Sequence, residues 1–204
     1  MRDPIRIILT LAIPLLSAVG WGADLEKGLA AYDVGDYETS LAECQPLAEE
    51  GNATAQFCVG RLYANGFGVP MNDDLALRWY GLAAEQGYSE AQLNLGLMHA
   101  NGWGVEMNDE EAAKWYRLAA EQGLVAAQTS LAMLCYKGRG VEQDLLEAYM
   151  WYDIAIQLGD LDSSIKRDDV ANDLSPEQVA TAQQMATRWF TENDGDIKRA
   201  GGND

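Results

Sequence analysis

Three cysteines, a single histidine and one Ser-x-x-Lys string are the residues of this 204-residue chain best suited to chemistry. Cys44 and Cys58 stand seven residues either side of Gly51. If Gly51 turns the chain between antiparallel helices, the two sulfurs reach one level. A disulfide is then possible, provided the Cα atoms come within about 7 Å. The other reading is two unpaired, small, apolar side chains. Ser163-Ser164-Ile165-Lys166 matches the first string of serine acyl enzymes. No Ser-Asp-Asn or Lys-Thr-Gly follows it, so Lys166 is read as a solvated charge. One histidine, His99, rules out a His-rich metal site, and its position reads as a satisfied core residue. Gly66-Phe67-Gly68 lacks the strand that precedes a phosphate-binding glycine loop. No catalytic residue, metal ligand or cofactor is assigned.

Charge narrows the partners. With 32 Asp+Glu against 14 Lys+Arg, the formal net charge is −18. That field repels nucleic acid and anionic membrane alike. An apolar fraction of 48% with 23% charged residues is an ordinary globular balance. Residues 1–22 follow the order of a secretory signal peptide: Arg2 and Arg6, an apolar run from Ile7 to Val19, then small residues at Ala18, Gly20 and Gly22. The run is shorter than the roughly 20 residues a spanning helix needs. Cleavage after Gly22 is expected, giving a periplasmic or secreted chain with no stable membrane insertion. That oxidising setting is what makes the cysteine pair worth weighing.

A repeat of 36 residues organises the rest. Ala55-Gln56, Ala91-Gln92 and Ala127-Gln128 keep this step, as do Gly66, Gly102 and Gly138, and the pairs Trp79-Tyr80, Trp115-Tyr116 and Trp151-Tyr152. Residues 55–90 and 91–126 are identical at 20 of 36 positions. Each unit reads as two helices. The first ends at a glycine that takes the left-handed conformation. The second starts at an Asn N-cap followed by acidic residues that suit the helix dipole. Ser89 with Gln92 and Asn108 with Glu111 fit capping boxes. A lone hairpin cannot bury its apolar face, whereas stacked neighbours can. Trp79, Trp115 and Trp151 are therefore read as core, and Cys135 as an inert core thiol.

The string A-Q-x3-G-x5-G-x-G-V, followed by the Trp-Tyr and Ala-Ala pairs, resembles the Sel1-like repeat, a relative of the tetratricopeptide repeat. Ala55 to Gly87 and Ala91 to Gly123 match closely. Ala127 to Gly159 departs at Ala132 and Cys135. The resemblance implies an all-α, right-handed α-solenoid of helix pairs with helical caps. The expected organisation is a signal peptide (1–22), an N-terminal capping pair (23–50), repeats within 51–159 (about 55–90, 91–126 and 127–162), C-terminal capping helices (160–192) and a flexible tail (193–204). Ser175-Pro176-Glu177-Gln178 marks a helix start in the second cap.

Two surfaces are candidates for binding. Phe67, Trp103 and Arg139 stand between the loop glycines of successive units. They form either an exposed stripe of the kind that marks interfaces or rings packed on adjoining loops. The concave face carries Leu93, Asn94 and Ser130 among its variable positions. In Sel1-like proteins an Asn at the position of Asn94 is implied in holding peptide backbone, while Cys58 and Ser130 depart from it. The expected function is an exported, non-catalytic scaffold, a monomer, that binds a basic protein or peptide. The alternatives are a β-lactam or cell-wall hydrolase of the cysteine-rich Sel1-like type, and an avidity-based component of a cell-envelope assembly.

Overall fold

The computed structural model describes residues 22–200, with side chains as far as Asn193. Residues 1–21 of the expected signal peptide lie outside the described residues, as do 201–204. Among the described residues there are ten helices and no strand: α1 (Leu25–Asp33), α2 (Tyr37–Glu49), α3 (Ala53–Asn65), α4 (Asp73–Glu85), α5 (Ser89–Asn101), α6 (Asp109–Glu121), α7 (Val125–Lys137), α8 (Leu145–Gln157), α9 (Ser163–Ala171) and α10 (Pro176–Ala200). Each of α1 to α9 packs on its neighbours in sequence, and α10 returns to α8. The chain is thus an α-solenoid whose contacts are local.

The six central helices are all 13 residues long. Their ends follow from particular residues. Asn72 Oδ1 accepts from the Leu75 amide at 2.9 Å, and Asn108 Oδ1 from those of Glu110 and Glu111. Gly66, Gly102 and Gly138 close α3, α5 and α7 at φ of 67°, 72° and 63°, where a Cβ would be strained. The capping box expected at Ser89 does not form. Tyr88 is the N-cap of α5 and makes no side-chain cap bond.

Gln92 is instead spent between units. Buried, it donates to the Ala84 carbonyl at the end of α4 and accepts from Gln122, at the end of α6, at 2.7 Å.

 Gln122 thus stands to Gln92 as Gln86 stands to Gln56, whose amide reaches the Ala48 carbonyl. Gln128 repeats only half of this: its amide reaches the Ala120 carbonyl at 3.2 Å, but its Oε1 is buried without a partner. Leu158 occupies the place of Gln86 and Gln122 and has no side-chain N–H to offer. Gln92→Leu should therefore cost about 1 kcal/mol more than Gln128→Leu, since the latter also removes an orphaned acceptor. Urea unfolding of the two variants checks the order.

The aromatic pairs fill the space between helices. The Tyr80 and Tyr116 rings lie flush on Gly60 and Gly96, where an added Cβ would come within 2.6 Å of ring carbons. Trp79 and Trp151 are buried, and Trp115 is half-buried against the middle cluster. Both ends are closed by helices. Leu25, Leu29 and Leu41 of α1 and α2 pack on the α3 cluster. Ala182, Ala186, Trp189 and Phe190 of α10 cover the last unit. Ser175 and Gln178 bond reciprocally at its start. Its backbone stays helical to Ala200, beyond the boundary at 192 expected for the capping helices. The apolar pattern marks where packing ends; helical hydrogen bonds need no such partner.

Candidate functional site

The loop between the two helices of each unit has a docking partner. Gly68 sits against Tyr37, Gly104 against Asp73 and Gly140 against Asp109. Each of these partners is the first residue of a second helix in the preceding unit. Lacking a Cβ, the glycine lets the loop lie flush on that helix start. The residue before it then meets the same place, 30 positions upstream.

This decides what Phe67, Trp103 and Arg139 do. Phe67 stacks on Tyr37, with ring centroids 4.4 Å apart and planes 11° apart, and tilts against Tyr32. Arg139 grips Asp109 with two bonds, Nε to Oδ2 at 2.9 Å and Nη2 to Oδ1 at 2.8 Å. Trp103 and Asp73 line one cleft, and no basic side chain pairs with Asp73 among the described residues. The stripe of exposed aromatics is thus reduced to one ring: Phe67 is packed, and Trp103 remains 50% exposed.

Trp103 lines a cleft of about 360 Å³ with Asn65, Met71, Asp73, Asn94 and Met98. The cleft lies between the first two units and joins the two surfaces considered separately above. Asn94 donates to the Glu90 carbonyl at 2.7 Å, and its Oδ1 makes no bond among the described residues. Met71 is 68% exposed beside it. Sequence reasoning missed Asp73 and Met71. In the sequence Asp73 reads as one of the acidic residues that suit a helix start, a role it also fills. The signal was there in the Trp103–Asp73 and Arg139–Asp109 pairs, which share one spacing. The other candidates lie elsewhere: Leu93 packs against the last core cluster, and Ser130 Oγ bonds back to the Ala126 carbonyl.

The cysteines and the serine string have clear surroundings. Cys44 and Cys58 are both buried, and their sulfurs lie 2.7 Å apart, joining α2 to α3. The Cys44 thiol donates to Cys58 Sγ; that bond favours the Cys58 thiolate, holding its pKa below the ordinary thiol value, and raises that of Cys44. Cys135 is buried, and burial next to Glu147 pushes its thiol up to about 12. Burial opposes ionisation of Glu147, yet bonds from Arg117 and Trp151 Nε1 hold its carboxyl below the ordinary value. Ser163 is buried and donates to Asp160 Oδ2 at 2.7 Å, while Lys166 is exposed and makes no bond to it. His99 is half-buried, and its Nδ1 has no partner, unlike the satisfied core residue expected.

Residues 53–88, 89–124 and 125–160 each match the Sel1 repeat. The chain belongs to the Sel1 repeat family. These Sel1 repeats begin two residues before the frame read from the sequence, at or next to the first residues of α3, α5 and α7, with the period unchanged. Among solved structures, a Sel1 repeat protein from Oxalobacter formigenes is 32% identical, with a TM-score of 0.70 over 86% of this chain and 73% of that one. A protective antigen of uropathogenic Escherichia coli with an SLR fold is 28% identical, with a TM-score of 0.49, over 80% of this chain and 45% of that one. No curated protein matches. The cleft therefore lies between the first and second Sel1 repeats, and the Cys44–Cys58 contact joins the N-terminal cap to the first.

Proposed function

We propose that this chain is an exported, non-catalytic Sel1 repeat scaffold that binds a basic protein or peptide as a monomer. The observation that carries this reading is the cleft that brings Trp103, Met71 and Asn94 together beside an acidic side chain. A preformed surface loses little ordering entropy on binding. The net charge of −18 steers a cationic partner toward it. No helix among the described residues is long and apolar enough to cross a membrane. The bonding of Ser163 to Asp160 leaves the Ser-x-x-Lys string without a nucleophile–base contact, which disfavours the hydrolase alternative.

Export also gives the cysteine pair a role. Cys44 and Cys58 close a disulfide by exchange with an external disulfide oxidant. Their two thiols lose two protons and two electrons, and the oxidant leaves as two thiols. Intact mass of the exported protein is expected to begin near Ala23.

Fluorescence anisotropy with labelled decapeptide pools tests the binding reading. The basic pool is expected to bind and the acidic pool not, with affinity falling as salt shortens the screening length from about 10 Å toward 3 Å. Equal binding of both pools, or binding indifferent to salt, counts against it. Nitrocefin hydrolysis that disappears in Ser163→Ala would replace it with an enzyme.

A further inference from the structure

We propose that the Trp103 cleft is an arginine receptor: it takes a guanidinium from a partner polypeptide, stacked on the Trp103 ring and paired with the Asp73 carboxylate. This rests on the peptide-binding reading above and names the side chain that the site selects. The argument is an internal comparison. Three consecutive loops dock on three consecutive helix starts, and two of the three pairs are chemically matched. Phe67 meets Tyr37, ring on ring. Arg139 meets Asp109 through two nearly equal bonds. Only the middle pair is mismatched, with an indole set beside a carboxylate.

The third repeat thus shows what satisfies an aspartate at this position. It is a guanidinium, arriving from the side of the loop and gripping both carboxylate oxygens. In the second repeat that group is missing from the chain, and Trp103 and Asp73 line a cleft of about 360 Å³. Trp103 is half exposed, as a ring awaiting a planar cation would be. Arginine fits better than lysine on two grounds. Its planar fork matches a carboxylate with two bonds, and its flat face stacks on an indole. Met71 and Met98 line the same cleft and offer adaptable apolar contact for the arginine stem. Asn94 Oδ1 is free to accept from the peptide backbone on either side.

The experiment compares three labelled nonapeptides of one neutral sequence whose central residues are arginines, lysines or citrullines. Anisotropy is read on the full mature chain and on two variants. Asp73→Asn removes the charge and keeps the shape. Trp103→Arg installs the residue of the third repeat, which should pair with Asp73 and fill the site from within. The arginine peptide is expected to bind at least about 10-fold more tightly than the lysine or citrulline peptide. Both variants should lose that preference while keeping wild-type circular dichroism. If arginine and lysine peptides bind equally and Asp73→Asn changes nothing, the arginine assignment fails while peptide binding stands. If no peptide binds, both readings fail. If the chain instead self-associates and Trp103→Arg abolishes this, the occupant is a second copy and the separate partner is overturned.

Discussion

Trp151→Ala is expected to lower the free energy of unfolding by about 3–5 kcal/mol. Trp151 is buried in the last repeat, where α7, α8 and the C-terminal cap meet. Its ring faces Trp189 of α10 edge-on, with centroids 6.0 Å apart. Its indole N–H donates to Glu147, which also receives Arg117. Truncation therefore opens a cavity, undocks the cap and loosens a partly buried ion pair at once. Trp103→Ala provides the contrast. Half exposed and outside the core clusters, it should shift stability by no more than about 0.5 kcal/mol. Urea unfolding followed by circular dichroism measures both. Similar losses for the two variants would contradict the division between core and surface tryptophans.

Reduction of the oxidised chain should cost about 3 kcal/mol, the chain-entropy value for a closed loop of about 15 residues. The sulfurs of Cys44 and Cys58 already lie at contact distance in the buried seam between cap and first repeat. Gly28 lies flush on that sulfur, since a Cβ there would come within 2.8 Å of Cys44 Sγ. α1, α2 and α3 thus converge on the pair, and losing the staple frees the whole N-terminal cap. Alkylation of the denatured, unreduced protein is expected to label Cys135 alone. Three labelled cysteines, with stability unchanged by reductant, would mean that the pair stays reduced.

The sequence carried the architecture because a solenoid is written locally. Gly66, Gly102 and Gly138, the Asn72 and Asn108 caps and the Trp-Tyr pairs each act within one helix pair, so their meaning survives without knowledge of distant contacts. What could not be read locally lay between units. Ser89 looked like a cap only because Gln92 follows at the right spacing, whereas Gln92 belongs to a bond with the preceding helix. Phe67 and Trp103 hold equivalent positions, yet one meets Tyr37 and the other Asp73, so one is packed and the other left open. Asp73 hid among the acidic residues that any helix start attracts. Comparing each loop residue with the helix start 30 positions before it would have singled out this pair.

The most direct test of the account is a nitrogen-15 NMR titration of the full chain with the arginine nonapeptide. The account predicts saturable shifts concentrated at the Trp103 indole N–H and the amides of Met71, Asp73, Asn94 and Met98, with α9 and α10 unmoved. Shifts centred on Ser163 and Lys166, or scattered evenly along the acidic surface, would contradict it.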